Sequence, residues 1–448
     1  MTSLFAERAL LPDGWHGDVR IVMADGRLRS VSAGSAPEAA DERHAVIVPA
    51  PGNVHSHAFQ YAMAGLTERR GNGDDNFWTW REAMYRFALT MEPEDVEAVA
   101  AMLYVRMLEA GFGRVAEFHY LHHDRDGAPY ADIGEMAARI ASASRTAGIG
   151  LTLLPVFYAH AGFGPAPALA QQRRFISSLD LFALLMERSG AIVADVPGAV
   201  LGLAPHSLRA ATLDEIGAIL PLAGDGPIHI HAAEQVAEVE ACERHYGARP
   251  VRTLLDNAPV DERWCLIHAT HMNDDEIRDL AASGAVVGLC PITEGNLGDG
   301  IFAGTALRAA GGRFAVGSDS NVSISLRGEL RQFEYSQRLD LRIRNVIADK
   351  AGSTGHALFA GALAGGAQAL ANPAGIASGN LADLIALDGR AAPHLVDDFM
   401  LDGWIFADDV RVDCVWAMGK KRVAGGRHIG RDAIETRYRQ TMLRLSEG

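Results

Sequence analysis

Residues 45–57, which read AVIVPAPGNVHSH, contain the pattern that decides the fold. The apolar run Ala45–Ala50 leads into His55-Ser56-His57, so the two histidines are predicted where a buried strand opens into a loop. Side chains at positions i and i+2 of a strand point to the same face, where two imidazoles can bind one metal ion. Many surface loops contain an HxH pattern by accident, so the prediction depends on the rest of the chain.

Short apolar runs recur between long segments with helical spacing, which is typical of parallel βα units. Because these runs read as strands buried on both faces and number eight, they predict an α/β protein with a (β/α)8 TIM-like barrel. The predicted strands are Val46–Val54, Arg114–His119, Gly150–Val156, Val200–Ala204, Pro227–His231, Trp264–His268, Ala285–Leu289 and Arg313–Gly317. Helices are expected between them, for example at Glu94–Ala110 after Pro93, at Tyr130–Ala147, and at Asp274–Ser283 with Asn273 or Asp274 as its cap.

The two ends of the chain have a different pattern. Gly17–Leu28 reads as a hairpin with an Asp25-Gly26 turn, and Asp383–Asp388 and Val410–Gly419 are further strand-like runs. We therefore predict that both termini build one small β-sandwich domain, residues 1–48 plus 378–448. Residues 49–377 are then the barrel, since barrels of about 250 residues form single domains.

Composition narrows the classes of partner. The formal net charge of -15 disfavours nucleic acid and anionic membranes, both of which would repel the chain. The four cysteines are far apart and form no CxxC pair, which fits a reducing compartment. No signal peptide and no long apolar span is found, so we expect a cytoplasmic protein that acts on a small molecule. We expect it to be a homodimer.

More metal-binding residue types lie at predicted strand ends. His231, His268 and Asp319 each end or follow a predicted strand. In parallel barrels the carboxyl ends of the strands aim side chains at one active site. We predict that His55, His57, His231 and Asp319 bind one divalent metal ion, with Zn²⁺ as the first choice and iron or manganese as alternatives.

Three of these residues are also predicted to carry the chemistry. A bound metal lowers the pKa of its water toward about 7 and so supplies hydroxide. Glu234 follows His231 by three positions and is predicted to shuttle a proton to a leaving nitrogen. Asp319 would take a proton from the water and His268 would face the developing charge on the substrate. As alternatives, His268 is a core histidine, or Asp319 caps the following turn.

Other residues are weighed as metal ligands in addition to these four. His229 shares a strand face with His231 and is the alternative ligand, although His231 lies nearer the open end. Glu117 and His119 are interpreted as packing groups or as partners behind the ligands. The first lysine is Lys350, after all predicted strands, so no barrel lysine can be carbamylated to bridge two metals. A mononuclear site is therefore predicted.

These residues together resemble a known family. His55-x-His57, His231-Ala-Ala-Glu234, His268 and Ser318-Asp319 resemble the mononuclear deaminase branch of the amidohydrolase superfamily. Residues 115–123 (VAEFHYLHH) and 77–85 (FWTWREAMY) are similar to bacterial formimidoylglutamate deiminases. The resemblance implies an enzyme of histidine degradation that converts N-formimidoyl-L-glutamate and water to N-formyl-L-glutamate and ammonia.

A substrate with two carboxylates needs fixed cations, preferably arginine. Arg209 follows the fourth predicted strand and Arg81 lies in the long loop after the first, so both are candidates. The family likeness adds Gln60, Tyr120 and His206. The nearest alternative is a deaminase of an aromatic amine, such as guanine or an adenosine derivative, whose pocket should favour stacking over paired arginines. An inactive scaffold barrel is a second alternative, which the intact ligand set disfavours.

Overall fold

The computed structural model describes residues 1–70 and 77–446. In chain order the strands are β1 (Thr2–Leu11), β2 (Gly14–Ala24), β3 (Arg27–Ser32), β4 (Glu42–Pro49), β5 (Gly52–Ser56), β6 (Arg114–His119), β7 (Gly150–Phe157), β8 (Val200–Leu201), β9 (Ala204–Pro205), β10 (Ile228–Ala232), β11 (Trp264–His268), β12 (Val286–Leu289), β13 (Arg313–Val316), β14 (Leu384–Asp388), β15 (Arg411–Ala417), β16 (Lys420–Ala424) and β17 (Arg427–His428).

The helices are α1 (Phe77–Thr90), α2 (Pro93–Glu109), α3 (Glu135–Ala147), α4 (Leu179–Ala194), α5 (Leu213–Ile219), α6 (Val236–Tyr246), α7 (Pro250–Asn257), α8 (Asp274–Ser283), α9 (Pro291–Leu297), α10 (Gly304–Ala309), α11 (Leu326–Leu341), α12 (Thr354–Ala369), α13 (Asp398–Phe406) and α14 (Arg431–Ser446). Short 3₁₀ helices lie at Ala58–Met63, Ala170–Gln172 and Leu220–Ala223.

Strands from both termini form one sheet, as the sequence predicts. Its order is β17-β16-β15-β14-β4-β1-β2-β3. Strand β4 is central and its second half is buried on both faces. Ile47 packs into a small core on one face of the sheet, while Val46 and Val48 pack into the main core. This double burial explains the uninterrupted apolar run in the sequence. The predicted hairpin is also present, with Asp25 and Gly26 at positive φ between β2 and β3.

The first predicted strand was wrong in one respect. Val46–Val54 is not one strand but the end of β4 and the start of β5, which belong to different sheets. Pro49 and Pro51 stand at the junction, and proline cannot donate a ladder hydrogen bond, so the chain leaves one sheet there and enters the next. His55 therefore lies in the short strand β5 and His57 directly follows it, so the pair does not extend the Ala45–Ala50 run.

The parallel strands form the barrel. One sheet has the order β5-β6-β7-β8, with β9 pairing β7, and the other has the order β10-β11-β12-β13. A bridge between Leu203 and Ile228 joins the two sheets at one seam, and a bridge between Ser56 and Asp319 joins them at the other. Counting β8 and β9 as one interrupted strand, the described residues provide the eight predicted strand positions.

The second seam requires close backbone approach. His57 N donates to Asp319 O at 3.1 Å, and Asp319 N donates to His55 O at 2.9 Å. A Cβ at Gly317 would lie 2.8 Å from the backbone nitrogen of His55, so only glycine lets the last strand approach the first this closely.

The predicted helices are present, with one shifted start. Helix α8 has Asn273 as its cap, whose side chain accepts from Glu276 N at 2.9 Å. Helix α3 begins at Glu135 and not at Tyr130 as predicted. Asp132 accepts the N–H of Gly134 at 2.9 Å, and this local bond fixes a turn immediately before the helix.

Candidate active site

Five ligand-capable side chains meet at the carboxyl ends of the barrel strands. Ligand atoms of His55, His231, His268 and Asp319 all lie within 4.8 Å of one another. His55 Nε2 is 3.1 Å from His57 Nε2 and 3.0 Å from His231 Nε2. Asp319 Oδ1 lies 3.3 Å from the Nε2 atoms of both His55 and His57. The structure thus brings together residues whose positions differ by more than 250 along the chain.

The hydrogen bonds of two imidazoles direct their free nitrogens into this cluster. His57 Nδ1 donates to Phe118 O at 3.0 Å, and His231 Nδ1 donates to His206 O at 2.9 Å. With the proton on Nδ1, each ring presents an Nε2 lone pair to the centre, as metal-binding histidines do. Burial, followed by repulsion from His57, lowers the pKa of His55 to about 3, so this ring is also neutral.

This donor set fits a divalent metal ion. Three imidazole nitrogens and one carboxylate converge, which are ligands suited to Zn²⁺ and accepted by iron and manganese. Contacts with His55 and His57 hold the pKa of Asp319 well below its usual value although burial opposes this, so the carboxylate is charged. Nitrogens about 3 Å apart with lone pairs directed at each other would repel without a cation between them.

Glu234 and His268 lie beside the cluster. His268 Nε2 is 3.8 Å from Glu234 Oε1 and 3.8 Å from Asp319 Oδ2. The Glu234, Glu294 and Asp319 carboxylates raise the pKa of His268 to about 10, against the effect of burial. Burial raises the pKa of Glu234. The site therefore holds a carboxyl group that can carry a proton next to a cationic imidazole.

Glu294 is a site residue to which the sequence analysis gave no role. Its Oε1 lies 3.2 Å from His268 Nδ1 and accepts the Cys290 backbone N–H at 2.8 Å. Glu294 stands in the first turn of α9, directly after β12. Its position after a strand end was the available signal, because the other strand ends supply the ligands.

All five predicted substrate contacts line one pocket that also reaches the metal cluster. Its lining residues include Gln60, Arg81, Tyr120, His206 and Arg209, together with His57, Phe77, Trp80, Met84, Tyr85, Tyr158, Ala161, Phe175, Ser207, His231, Glu234, His268, Leu297 and Asp319.

Two arginines supply the positive charge of this pocket. Arg209 Nη2 lies 3.4 Å from Glu234 Oε2, and its Nε atom is buried with no hydrogen-bond partner among the described residues. Arg81 lies on helix α1 and not in a loop as predicted, with its Cζ 4.5 Å from the Trp78 ring centroid. Both guanidiniums are placed to receive an anionic ligand.

Polar groups of the same pocket are also placed to bind a ligand. Gln60 Nε2 donates to Tyr120 Oη at 2.7 Å, while Gln60 Oε1 is buried without a partner among the described residues. His206 Nδ1 lies 3.0 Å from Ser207 Oγ. Burial lowers the pKa of His206 well below its usual value, so this imidazole is neutral.

The alternative ligands lie elsewhere. His229 Nε2 donates to Ala369 O at 2.8 Å, one strand repeat below the cluster. Glu117 accepts from Ala58 N at 2.6 Å and from Tyr104 Oη at 3.1 Å, and burial raises its pKa to about 7. His119 packs edge-on against His122. Glu117 and His119 lie outside the pocket lining, since the intervening Phe118 is the residue of β6 that contacts the site histidines.

Comparison with known proteins identifies the family. A profile described as "Amidohydrolase family" matches residues 46–422. The chain belongs to the amidohydrolase family. Residues 1–45 match "Formimidoylglutamate deiminase HutF, N-terminal domain". A curated relative from Pseudomonas aeruginosa named "Formimidoylglutamate deiminase" is 48% identical, with 99% of this chain and 100% of that protein covered.

Other similar proteins carry other names. A relative from Natronomonas pharaonis named "5-methylthioadenosine/S-adenosylhomocysteine deaminase" is 29% identical over 79% of this chain and 75% of its own length. Among solved structures, an amidohydrolase from Brucella melitensis matches with a TM-score of 0.98 and 55% identity, with both chains fully covered. A zinc-bound adenosine deaminase from Xanthomonas campestris, at 22% identity, a TM-score of 0.78 and coverage of 100% of this chain and 99% of its own, shares the fold.

These findings confirm the predicted family and fold class. In the described part of the chain, no helix is long and apolar enough to cross a membrane.

Proposed function

We propose that this amidohydrolase hydrolyses N-formimidoyl-L-glutamate to N-formyl-L-glutamate and ammonia, as a step of histidine degradation. The observation that carries the proposal is Arg209, a buried guanidinium held 3.4 Å from Glu234 in the pocket that reaches the metal cluster. A guanidinium in this position would bind a carboxylate of the substrate beside Glu234, the proposed proton carrier. The full-length 48% identity to a protein named for this activity supports the assignment.

The metal ion would be held by His55, His57, His231 and Asp319. When bound, a divalent metal supplies a hydroxide nucleophile at neutral pH. Asp319 is placed to accept the proton that water loses. Both protons of the water would end on the departing nitrogen. Glu234 donates to this nitrogen, the carbon–nitrogen bond breaks, and ammonia leaves as the hydroxyl proton is given up and the carbon keeps the oxygen of water as a carbonyl.

The remaining groups hold the substrate and its charge. His268, kept cationic by Glu234, Glu294 and Asp319, is placed to stabilise negative charge that develops at the reacting carbon. Arg81 and Arg209 would bind the carboxylates, and Gln60, Tyr120 and His206 would hydrogen-bond the substrate. Zinc as the metal, a homodimeric assembly, a cytoplasmic location and the domain boundaries at residues 48 and 378 stay predictions.

An ammonia-release assay tests the function. Purified protein is given N-formimidoyl-L-glutamate, guanine or adenosine derivatives, before and after treatment with a chelator and after zinc is restored. We expect ammonia from the formimidoyl substrate alone, its loss on chelation and its return with zinc. Release from a purine amine instead would assign the aromatic-amine activity. Metal analysis that finds no bound ion in protein without turnover would favour the scaffold alternative.

A further inference from the structure

Gln172 lies behind the wall of the active-site pocket and its hydrogen bonds have a fixed direction. Its side chain is fully buried at the end of the 3₁₀ helix Ala170–Gln172. The Leu169 backbone N–H donates to Gln172 Oε1 at 2.8 Å, so the oxygen of the amide is assigned and the nitrogen must be the donor. Gln172 Nε2 donates to Tyr158 Oη at 2.8 Å and to Tyr85 Oη at 3.2 Å.

This arrangement leaves two phenol hydrogens for a ligand. A phenol can accept and donate, and here each oxygen accepts from Gln172. Neither Tyr85 nor Tyr158 donates to another group within residues 1–70 and 77–446. Both rings are buried and both line the pocket. Two O–H donors in a desolvated wall match a group that only accepts hydrogen bonds.

The distance from the metal cluster indicates which part of the ligand reaches this wall. The His206 ring centroid is 4.8 Å from that of His231, and the Tyr158 centroid is a further 4.5 Å from that of His206. The Cζ of Arg81 lies 5.6 Å from the Tyr85 ring centroid, which adds positive charge. Tyr158 therefore neighbours His206, which neighbours the cluster residue His231, and Gln172 joins Tyr85 to Tyr158.

We propose that Tyr85 and Tyr158, oriented by Gln172, form the subsite for the side-chain carboxylate of the glutamyl substrate. The inference rests on the proposed function and adds the specificity for a dicarboxylate. A carboxylate accepts from both phenols. A carboxamide accepts from one phenol only and directs its own N–H toward the other, so that this N–H and that phenol O–H are left without an acceptor. Gln172 is a positioning residue, since it acts through the two phenols.

Equilibrium binding to the zinc-loaded enzyme tests this subsite by isothermal titration calorimetry. The ligands are the product N-formyl-L-glutamate and its side-chain amide, N-formyl-L-glutamine. Tyr158→Phe and Tyr85→Phe should each weaken binding of N-formyl-L-glutamate about 10-fold or more, because a hydrogen bond to a charged group is lost, and should change binding of the amide less than about 3-fold. In turnover, the same variants should raise KM more than they lower kcat, since the contact is remote from the reacting carbon.

Gln172→Glu gives the sharpest outcome. The introduced carboxylate accepts both phenol hydrogens, so the phenol oxygens are left as acceptors and the preference should shift from N-formyl-L-glutamate toward N-formyl-L-glutamine. Simple loss of packing weakens both ligands alike. Tyr438→Phe, a half-buried tyrosine that packs against Tyr61 outside the pocket, is the matched control and should change neither affinity.

Two results would overturn the subsite. Equal weakening of both ligands by Tyr158→Phe and Tyr85→Phe would show damage without selectivity, and unchanged affinities would show no contact. Turnover by the unaltered enzyme is measured in parallel. If the unaltered enzyme does not turn over N-formimidoyl-L-glutamate, the proposed function fails. If the enzyme is active but its tyrosine variants still prefer N-formyl-L-glutamate over N-formyl-L-glutamine to the same extent, only the subsite is refuted.

Discussion

Replacing Arg209 by methionine tests the substrate assignment directly. The Arg209 side chain is 11% exposed, contacts Glu234 at 3.4 Å and keeps its Nε without a partner among the described residues. Such a guanidinium can form two charge-assisted hydrogen bonds to a carboxylate, each worth about 1.5–3 kcal/mol. Loss of both hydrogen bonds raises the activation free energy by about 3–6 kcal/mol, which lowers kcat/KM roughly 10²–10⁴-fold. Arg209→Lys keeps the charge but not the bidentate geometry, so its kcat/KM should lie between those of Arg209→Met and the unaltered enzyme.

Steady-state ammonia release with N-formimidoyl-L-glutamate measures the effect, together with circular dichroism and metal content to establish that the variant is folded and loaded. Arg188→Met is the matched control, because Arg188 forms an exposed pair with Asp132 that contributes about 0–1 kcal/mol. Its kcat/KM should stay unchanged. An Arg209→Met enzyme as fast as the unaltered one would refute the reasoning and remove the dicarboxylate substrate.

Three further changes test the site. His231→Ala should abolish most bound metal, measured by mass spectrometry of the folded protein, whereas His229→Ala should retain it; the reverse result would exchange their roles. Glu234→Gln removes the proton shuttle but not a ligand, so kcat should fall about 10²–10⁴-fold at unchanged metal content, and a normal kcat would contradict the assignment. Glu294→Gln removes the charge behind His268 and should lower kcat about 10–100-fold, with metal content again as the control. Loss of metal from this variant would place His268 among the ligands instead.

Residue periodicity predicted the barrel well because strands buried on both faces are apolar throughout. The same property makes residues 46–54 read as one strand, since the second half of β4 is also buried on both faces although it lies in the terminal sheet. Composition does not distinguish a barrel strand from a central strand of another sheet. Pro49, at the end of β4, and Pro51, between β4 and β5, were the local sign of the junction.

The convergence of His55, His57, His231 and Asp319 could be predicted because the ends of parallel strands direct side chains to one place. The positions of Glu294 and Gln172 could not be predicted. Glu294 contacts the site through a hydrogen bond to His268, which is distant in sequence, and Gln172 lies in a connecting segment and contacts Tyr158. Arg81 was recognised as a candidate but assigned to a loop. The buried residues of the helix Phe77–Thr90 are Phe77, Met84, Tyr85 and Ala88, which stand at helical spacing, so the pattern of a helix was present in the sequence.

The seam between the first and last barrel strands has a consequence for how the enzyme tolerates heat. His55 and Asp319 join these strands through their backbones and meet again through their side chains. A metal ion bound by that pair would bind the native chain but not the unfolded one. It would therefore add RT ln(1 + [L]/Kd) to the free energy of unfolding, where [L] is the free metal concentration and Kd its dissociation constant. Removal of the metal should therefore lower the melting temperature and also abolish turnover. Selection for heat-resistant variants is expected to enrich substitutions that increase the affinity for the metal ion.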